Sequence, residues 1–378
     1  MDKKPTKPGA AQMGIGRSVT IKDVAAELGL SITTISRALN GYSDVGEKTR
    51  KRVSETAQKL GYRPNRNAQR LVTRRTHTIA WVQSDNDRKF VDPHFVEVMA
   101  GVLRGARAGN YDVVLTSETP DREMAVYDRY VNDNSVDGFI VDLPREGDPR
   151  IAYLLAMGRP FVVHGRDASS AGYGWVDIDN YGNFYRLTRL LVANGHRHIA
   201  FINGDAHYTY ALYREQGVCD ALKDLGLGAE TVRVLNSLHP MGDAGFKLTQ
   251  EALSDARITA LLYSSTLMAV EGHAAVARRG AGRKIAIATM DDELHYIDLS
   301  SFSDQFTFVR SSLRHAGGAL IAELIRQCEA GGPGGGKLIP STFHVLSELD
   351  ASMLGEPLPR GRLEGGAIAV PQRLSIES

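Results

Sequence analysis

Two short clusters in this chain hold residue types that could do chemistry. His196-Arg-His198 places two imidazoles two residues apart, a spacing that suits two ligands on one face of a strand. No third ligand stands at a matching spacing, so no metal is expected there. Asp291-Asp292-Glu293 offers adjacent carboxylates, the raw material of a shared-proton dyad. Neighbours at a strand end point to opposite sides, which does not suit such a pair. There is no G-x-S-x-G elbow for a nucleophilic serine. Gly331 to Gly336 is glycine-rich but lacks the Lys-Ser/Thr of a phosphate cradle and comes after a helical stretch. The sequence therefore predicts no enzyme, no cofactor and no metal. It predicts recognition. Ile32, Thr33, Ser36 and Arg37 lie close together as short polar and apolar groups beside one guanidinium, a set suited to base edges in a DNA major groove.

Those four residues need a helix to present them. From Thr20 to Asn40 the chain reads as two short helices joined by a tight turn. Thr20 with Asp23 three residues on forms a capping-box start. Val24, Ala25 and Leu28 give that helix one apolar face. Gly29 permits the turn, and Ser31 can cap a second helix that turns Ile35 and Leu39 inward. Glu47 to Leu60 continues as a basic helix with Val53, Ala57 and Leu60 inward. A ligand-free helical hairpin is the plain alternative.

The order of residues around and beyond the hairpin decides between them. The D-V-A run at Asp23 to Ala25, then Ser31, Ser36-Arg37, Leu39-Asn40 and Thr49-Arg50 stand in sequence. They lead to Leu60-Gly61-Tyr62, Pro64-Asn65, Ala68 and Leu71 with no gap in spacing. With these residues the chain resembles the LacI family of bacterial transcription regulators. The resemblance implies DNA contacts in the head from Thr20, Ser31, Ile32, Thr33 and Thr34, and from Ser36, Arg37, Asn40 and Thr49. In the segment after the head it implies contacts from Asn65, Arg66, Ala68, Gln69 and Leu71. Gly46 departs from the pattern, since the family usually has a serine there to cap the third helix.

Charge supports the same division. Residues 1–76 hold 16 Lys+Arg against 6 Asp+Glu, a surplus of ten positive charges; the remainder holds 29 against 38. A basic head on an acidic body is the footprint of a DNA-binding module joined to another function. At 378 residues the chain exceeds one ordinary core. No apolar run approaches the ~20 residues that span a bilayer, and the charged N-terminus does not read as a signal peptide. A cytoplasmic location with no membrane partner is expected. Cys219 and Cys328, both in helical stretches, read as reduced buried thiols.

Residues 1–17 read as a disordered basic tail, 18–62 as the head and 63–76 as a hinge. Pro64 suits a first helical turn, but two turns are too short to hold alone in water. From His77 strands and helices alternate. Ile79–Val82, Tyr111–Leu115, Val136–Val141 and Pro160–Val163 form one set. Val176–Asn180 begins a second, with Ile199–Ile202, Ile258–Tyr263 and Lys284–Ala288. Alternation of this kind predicts an α/β body of two lobes with parallel sheets and a crevice at the strands' carboxyl ends. Residues 77–345 form that body, and 346–378 a C-terminal tail. Lobe one is expected at 77–176 plus 307–339, with Thr307 to Arg310 crossing back to it. Lobe two is expected at 177–306 plus the C-terminal segment. The resemblance runs on, more weakly, through Asp92-Pro93-His94-Phe95, Asp137-Gly138, Gly195-His196, Arg214 with Gly217, and Asp291-Asp292. It implies a body like the periplasmic binding proteins, dimerised through that body.

A sugar would be gripped by carboxylates and guanidinium forks on its hydroxyls and by rings on its C–H faces. The resemblance makes Arg214 and Asp291 effector contacts. Ser84 or Asp85 after the first strand, Arg166, and the aromatics Phe95, Trp175, Tyr208 and Tyr210 suit the same chemistry. Ser265-Thr266 stands where the family often has Asn-Asp, so Ser265 is the candidate there. The expected function is a repressor of carbohydrate genes. It would be a homodimer on an approximately palindromic operator, released by a mono- or disaccharide. The alternatives are a corepressor-type regulator and, from another class, a soluble sugar-binding protein.

Ala68 and Leu71 share one face of the hinge helix. In a dimer the small Ala68 lets two such helices approach while Leu71 acts as an apolar wedge in the minor groove. Unstacking costs a few kcal/mol, recovered when both heads reach their half-sites. Leu71→Ala should therefore lower operator affinity and reduce DNA bending while leaving thermal stability unchanged. A gel-shift bending assay checks this, and unaltered bending would remove the wedge.

Overall fold

The computed structural model describes residues 19–39, 41–62, 75–84, 91–167, 172–279 and 282–355. Two compact units result, Met1–Thr76 and His77–Ser378.

The first unit holds three helices, α1 (Ile21–Leu28), α2 (Ile32–Leu39) and α3 (Glu47–Leu60). Thr20 begins α1 as expected, its N–H and hydroxyl both donating to Asp23 Oδ2 at 2.7 Å. Gly29 adopts φ 65°, which only glycine takes freely, and so turns the chain. Ser31 Oγ accepts from Thr34 N at 3.1 Å and caps α2. Gly46 precedes α3 with no side-chain cap. Val24, Ile35 and Val53 are fully buried between the helices. That burial leaves Ile32, Thr33 and Arg37 exposed, with Thr34, Ser36 and Thr49 half-buried.

The second unit carries two six-stranded sheets. The strands of the first are β1 (Thr78–Ser84), β2 (Asp112–Glu118), β3 (Gly138–Asp142), β4 (Phe161–His164), β5 (Gly174–Ile178) and β11 (Gly336–Ile339). They lie in the order β2-β1-β3-β4-β5-β11, all parallel. The second comprises β6 (Ile199–Asn203), β7 (Val232–Asn236), β8 (Ala260–Tyr263), β9 (Ala286–Asp291), β10 (Phe306–Arg310) and β12 (Thr342–His344). Its order is β7-β6-β8-β9-β10-β12. Only β12 is antiparallel, on β10. Central strands such as β3 and β6 are buried along their whole length, as apolar runs between helical layers must be. In each sheet the first strand has neighbours on both sides, so the connections diverge and open a crevice at the carboxyl ends.

Helices cover both sheets. In the first lobe α4 (Pro93–Ala108) starts on Asp92, whose Oδ1 accepts from His94 N at 2.9 Å, with Pro93 in the first turn. Beside it come α5 (Glu123–Asp133) and α6 (Pro149–Ala156). The second lobe has α7 (Asn180–Ala193), α8 (Thr209–Asp224), α9 (Ala244–Ala252) and α10 (Thr266–Arg279). The last helix, α11 (Leu313–Ala330), returns to the first lobe and packs along α4.

Two expected boundaries are corrected. Thr307 to Arg310 does not cross to the first lobe: β10 pairs in parallel with β9, Phe306 opposite Ile287, and completes the second sheet. The return is made after it, by α11 and β11. Val176 to Ile178 likewise belongs to the first sheet, paired with β4 and β11. Both strands sit at crossing points, where an apolar run carries no mark of which sheet it joins. The strand β7, alternating Val232, Val234 and Asn236 at a sheet edge, is not among the strands expected from sequence. Asp350 joins the second lobe through Asn194, accepting at 3.1 Å and donating at 2.9 Å.

The approach of α4 and α11 depends on facing glycines. A methyl on Gly101 would overlap the Arg314 carbonyl, and one on Gly317 the Val98 carbonyl, whereas Gly318 faces open space. Gly101→Ala should thus cost about 1–3 kcal/mol through overpacking, while Gly318→Ala should stabilise by up to about 1 kcal/mol through helix propensity. Urea unfolding of the two variants checks the sign difference.

Candidate effector cleft

The carboxyl ends of both sheets face a cavity of about 550 Å³ between the lobes. Ser84 closes β1, and its hydroxyl donates to Glu123 Oε2 at 3.1 Å. Leu143 and Pro144 come after β3, His164 ends β4, and Asp177 lies on β5. Lobe two contributes the Asp205 to Tyr210 turn after β6, Ser264 and Ser265 after β8, and Asp292 after β9.

Arg214 enters from α8 and is buried. Its Nε donates to Asn180 Oδ1 at 2.8 Å and its Nη1 to the Ser264 carbonyl, with the guanidinium 5.0 Å from the Tyr210 ring centre. Asn180 in turn donates to Asp177 Oδ1 at 2.9 Å, and Arg166 Nε reaches Asp177 Oδ2 at 3.2 Å. Four polar side chains therefore run from one lobe to the other without a break. Burial pushes the Asp177 carboxyl up to about 6, against the pull of Arg166.

A second bridge spans the cleft at His94. Its Nδ1 lies 2.8 Å from Asp92 Oδ1 and its Nε2 3.2 Å from Asp292 Oδ2. Burial opposes charge on the ring, but the Asp292 and Asp92 carboxylates beside it outweigh that and push His94 up to about 10. Close by, buried Glu97 accepts from Arg314 Nε at 2.9 Å and from His295 N at 3.2 Å, again joining the lobes. Thr209 N also crosses between the lobes, donating to the Pro144 carbonyl at 3.0 Å.

Of the residues expected here, Ser84, Tyr208, Tyr210, Arg214 and Ser265 line the cavity. Three do not. Phe95 is buried in the core, its ring centre 5.1 Å from that of Trp81. Arg166 stands behind Asp177, its guanidinium between the rings of Trp175 at 4.9 Å and Tyr213 at 5.6 Å. Asp291 turns away: its Oδ2 takes Arg310 Nε at 2.6 Å and its Oδ1 the Glu293 N–H at 3.1 Å. The cavity-facing carboxylate is Asp292. Alternation at the end of β9 held the signal, since consecutive side chains must part there. Asp85 lies outside the described residues, as do Asn40, Asn65, Arg66, Ala68, Gln69 and Leu71. Sequence reasoning does not single out Asp92, His94, Asp177 and Asn180 as cleft residues; they come together only through folding of segments far apart in the chain. In the head, Arg37 pairs with Asp44 at 2.7 Å and lies over Tyr42, while Ile32 is 44% exposed.

A helix-turn-helix head and a two-lobed body with an interlobe cleft together define a DNA-binding regulator with a ligand-binding domain. The chain matches the family model of bacterial regulatory proteins, lacI family, over residues 20–65. It matches the periplasmic binding proteins and sugar binding domain of LacI family over residues 76–308. The protein belongs to the LacI family of transcriptional regulators. It is 39% identical over 311 residues to the HTH-type transcriptional regulator AglR of Rhizobium meliloti (strain 1021), covering 81% of this chain and 87% of that one. RafR of Escherichia coli is 34% identical over 62% of this chain and 69% of its own. A structure described as the transcriptional regulator CelR-cellobiose complex aligns with TM-score 0.61 at 26% identity, covering 86% of this chain and 98% of that one. The lac repressor dimer bound to operator and the anti-inducer ONPF aligns with TM-score 0.71 at 22% identity, covering 87% and 98%, and shares the fold. No helix among the described residues is long and apolar enough to cross a membrane.

The raised His94 gives the cleft a pH signature. Its proton is bound more tightly in the folded state, so its contribution is whole below the ordinary value of 6.5 and is lost as pH rises through about 10. Melting temperature should fall between pH 7 and 10. His94→Gln should melt several degrees lower at pH 7 and show a flatter profile over that range. Identical profiles for the two proteins would mean that the bridge contributes nothing.

Proposed function

We propose that this protein is a repressor of carbohydrate uptake or catabolism genes, released from its operator by a small sugar held in the interlobe cleft. The observation that carries this reading is the cleft chemistry. Arg214, Asp292 and Asp177 converge from two lobes with fixed partners, which is the pairing of forked donors and acceptors that vicinal hydroxyls require. A sugar bridging Arg214 and Asp292 on one side and Asp177 on the other would favour one lobe arrangement, and its binding energy would shift the DNA-competent population. A similar structure, described as the transcriptional regulator CelR-cellobiose complex, points the same way.

In the head, exposed Ile32, Thr33 and Arg37 would read the major groove, with Ser36, Thr34 and Thr49 beside them. Arg37 would exchange Asp44 for DNA. Thr20 and Ser31, whose hydroxyls cap helices, would act through the helix ends they hold. The protein would work in the cytoplasm as a homodimer, on an operator of matching twofold symmetry. Exposed apolar side chains are available in lobe one, Val96 and Leu103 of α4 and Val114 and Leu115 of the edge strand β2. No catalytic step is part of this reading.

Arg214→Ala and Asp292→Ala should each keep operator affinity and lose the response to sugar, giving permanent repression. The loss should be at least tenfold in effective sugar concentration, as expected for a charge-assisted contact of about 1.5–3 kcal/mol. Operator release read by fluorescence anisotropy during sugar titration measures it. A normal response from both variants would place the ligand elsewhere.

A further inference from the structure

The head carries a carboxylate beside the guanidinium of its second helix. Asp23 caps α1 and Glu47 stands in the first turn of α3, where acidic groups suit a helix start. Asp44 instead lies against Arg37, its Oδ2 2.7 Å from Arg37 Nη2, with the Arg37 and Asp44 side chains 44% and 54% exposed. The loop that places it is firmly held. Gly41 turns at φ 73°, Tyr42 N donates to the Arg37 carbonyl at 3.1 Å, and Val45 N donates to the Tyr42 carbonyl at 3.2 Å. Arg50 Nη1 donates to the Gly41 carbonyl at 3.3 Å, and Val45 is buried with Val24, Ile35 and Val53. The Arg37 guanidinium also lies 4.8 Å from the Tyr42 ring centre. An exposed ion pair of this kind adds little stability, and a carboxylate beside DNA is repelled by phosphate. Neither the fold nor general affinity for DNA accounts for Asp44.

A G·C pair shows the major groove three groups in a row: guanine N7 and O6, both acceptors, then the cytosine N4 amino donor. O6 and N4 stand about 2.9 Å apart, the usual length of the N–H···O bond that joins them. Arg37 and Asp44 offer the complementary row, two donors and then an acceptor, at nearly the same spacing. No other base pair presents that order to a helix of fixed direction. We propose that Arg37 and Asp44 read one G·C pair together, Arg37 donating to guanine N7 and O6 and Asp44 accepting from cytosine N4. This rests on the head's reading of the major groove and names the base pair read. Each group exchanges the other for a base, so the ion pair is given up only where both find partners. On other sequences Arg37 keeps Asp44, and the repulsion between the carboxylate and phosphate goes uncompensated.

The test starts from a pool of random DNA duplexes from which the full chain selects its sites. The selected sequences should carry one G·C pair that Arg37→Ala no longer prefers. Asp44→Ala should weaken the preference at that same pair about fivefold or more, with the preferences at other positions and the melting temperature unchanged. In the double variant the Asp44 change should cost less at that pair than it does alone, as groups sharing one contact require. An unaltered preference in Asp44→Ala, with affinity rising for every duplex, would mean that the carboxylate only repels phosphate, and it overturns the proposal. So does a change at a base pair other than the one lost in Arg37→Ala, or a lowered melting temperature with equal loss at every position. Each of those results leaves the head's DNA reading standing. Failure of the native protein to select any common sequence overturns that reading, and this inference with it.

Discussion

The side-chain amide of Asn180 joins two charged groups that belong to different lobes. It donates to Asp177 and accepts from Arg214, at the point where the chain first passes between the sheets. A buried carboxylate and a buried guanidinium are each costly without partners, and the amide satisfies both at once. Because the strands of each sheet run parallel up to this region, every loop at a carboxyl end opens on the same space. The cleft is thus a consequence of strand direction, and the Asn180 link fixes the separation of its two walls.

Ion pairing within the cleft obeys the same logic. Asp292 has His94 on one side, and Asp291, its neighbour, is spent on Arg310. Two adjacent carboxylates are thereby given opposite duties, one bracing β9 against β10 and one facing the ligand space. Arg166 is placed in a similar way: stacked between Trp175 and Tyr213, it holds Asp177 from behind. Residue type alone would assign Arg166 and Asp291 to the ligand; their partners show that they position its neighbours.

Much of this is legible in the sequence, and the failures have physical causes. The head can be read almost residue by residue, since caps, turn glycine and inward faces all act within a few positions. In the body, the parallel sheets and the crevice follow from alternation. The strand at Phe306 to Arg310 goes to the wrong lobe on sequence grounds because pattern reveals burial, not the neighbour that supplies it. His94 carries no local signal at all. Its meaning lies in Asp292, nearly two hundred residues on, and only the fold sets the two together.

The chain passes between the lobes three times, after β5, after β10 and after β11. Lobe one is therefore finished by its last pieces, α11 and β11, about 160 residues after Ile178 has left it. During synthesis at about 5–20 residues per second, that interval lasts roughly 8–32 s. Until α11 follows, the flank of the first sheet lacks the helix that covers it, with Ile140, Val162 and Val176 among the residues of that core. The second lobe, whose five parallel strands are complete by Arg310, has its own sheet nearly whole by then. Synthesis thus supplies the later lobe's parallel strands before the earlier lobe's last one, and the first sheet is complete in the chain only when Ile339 is added.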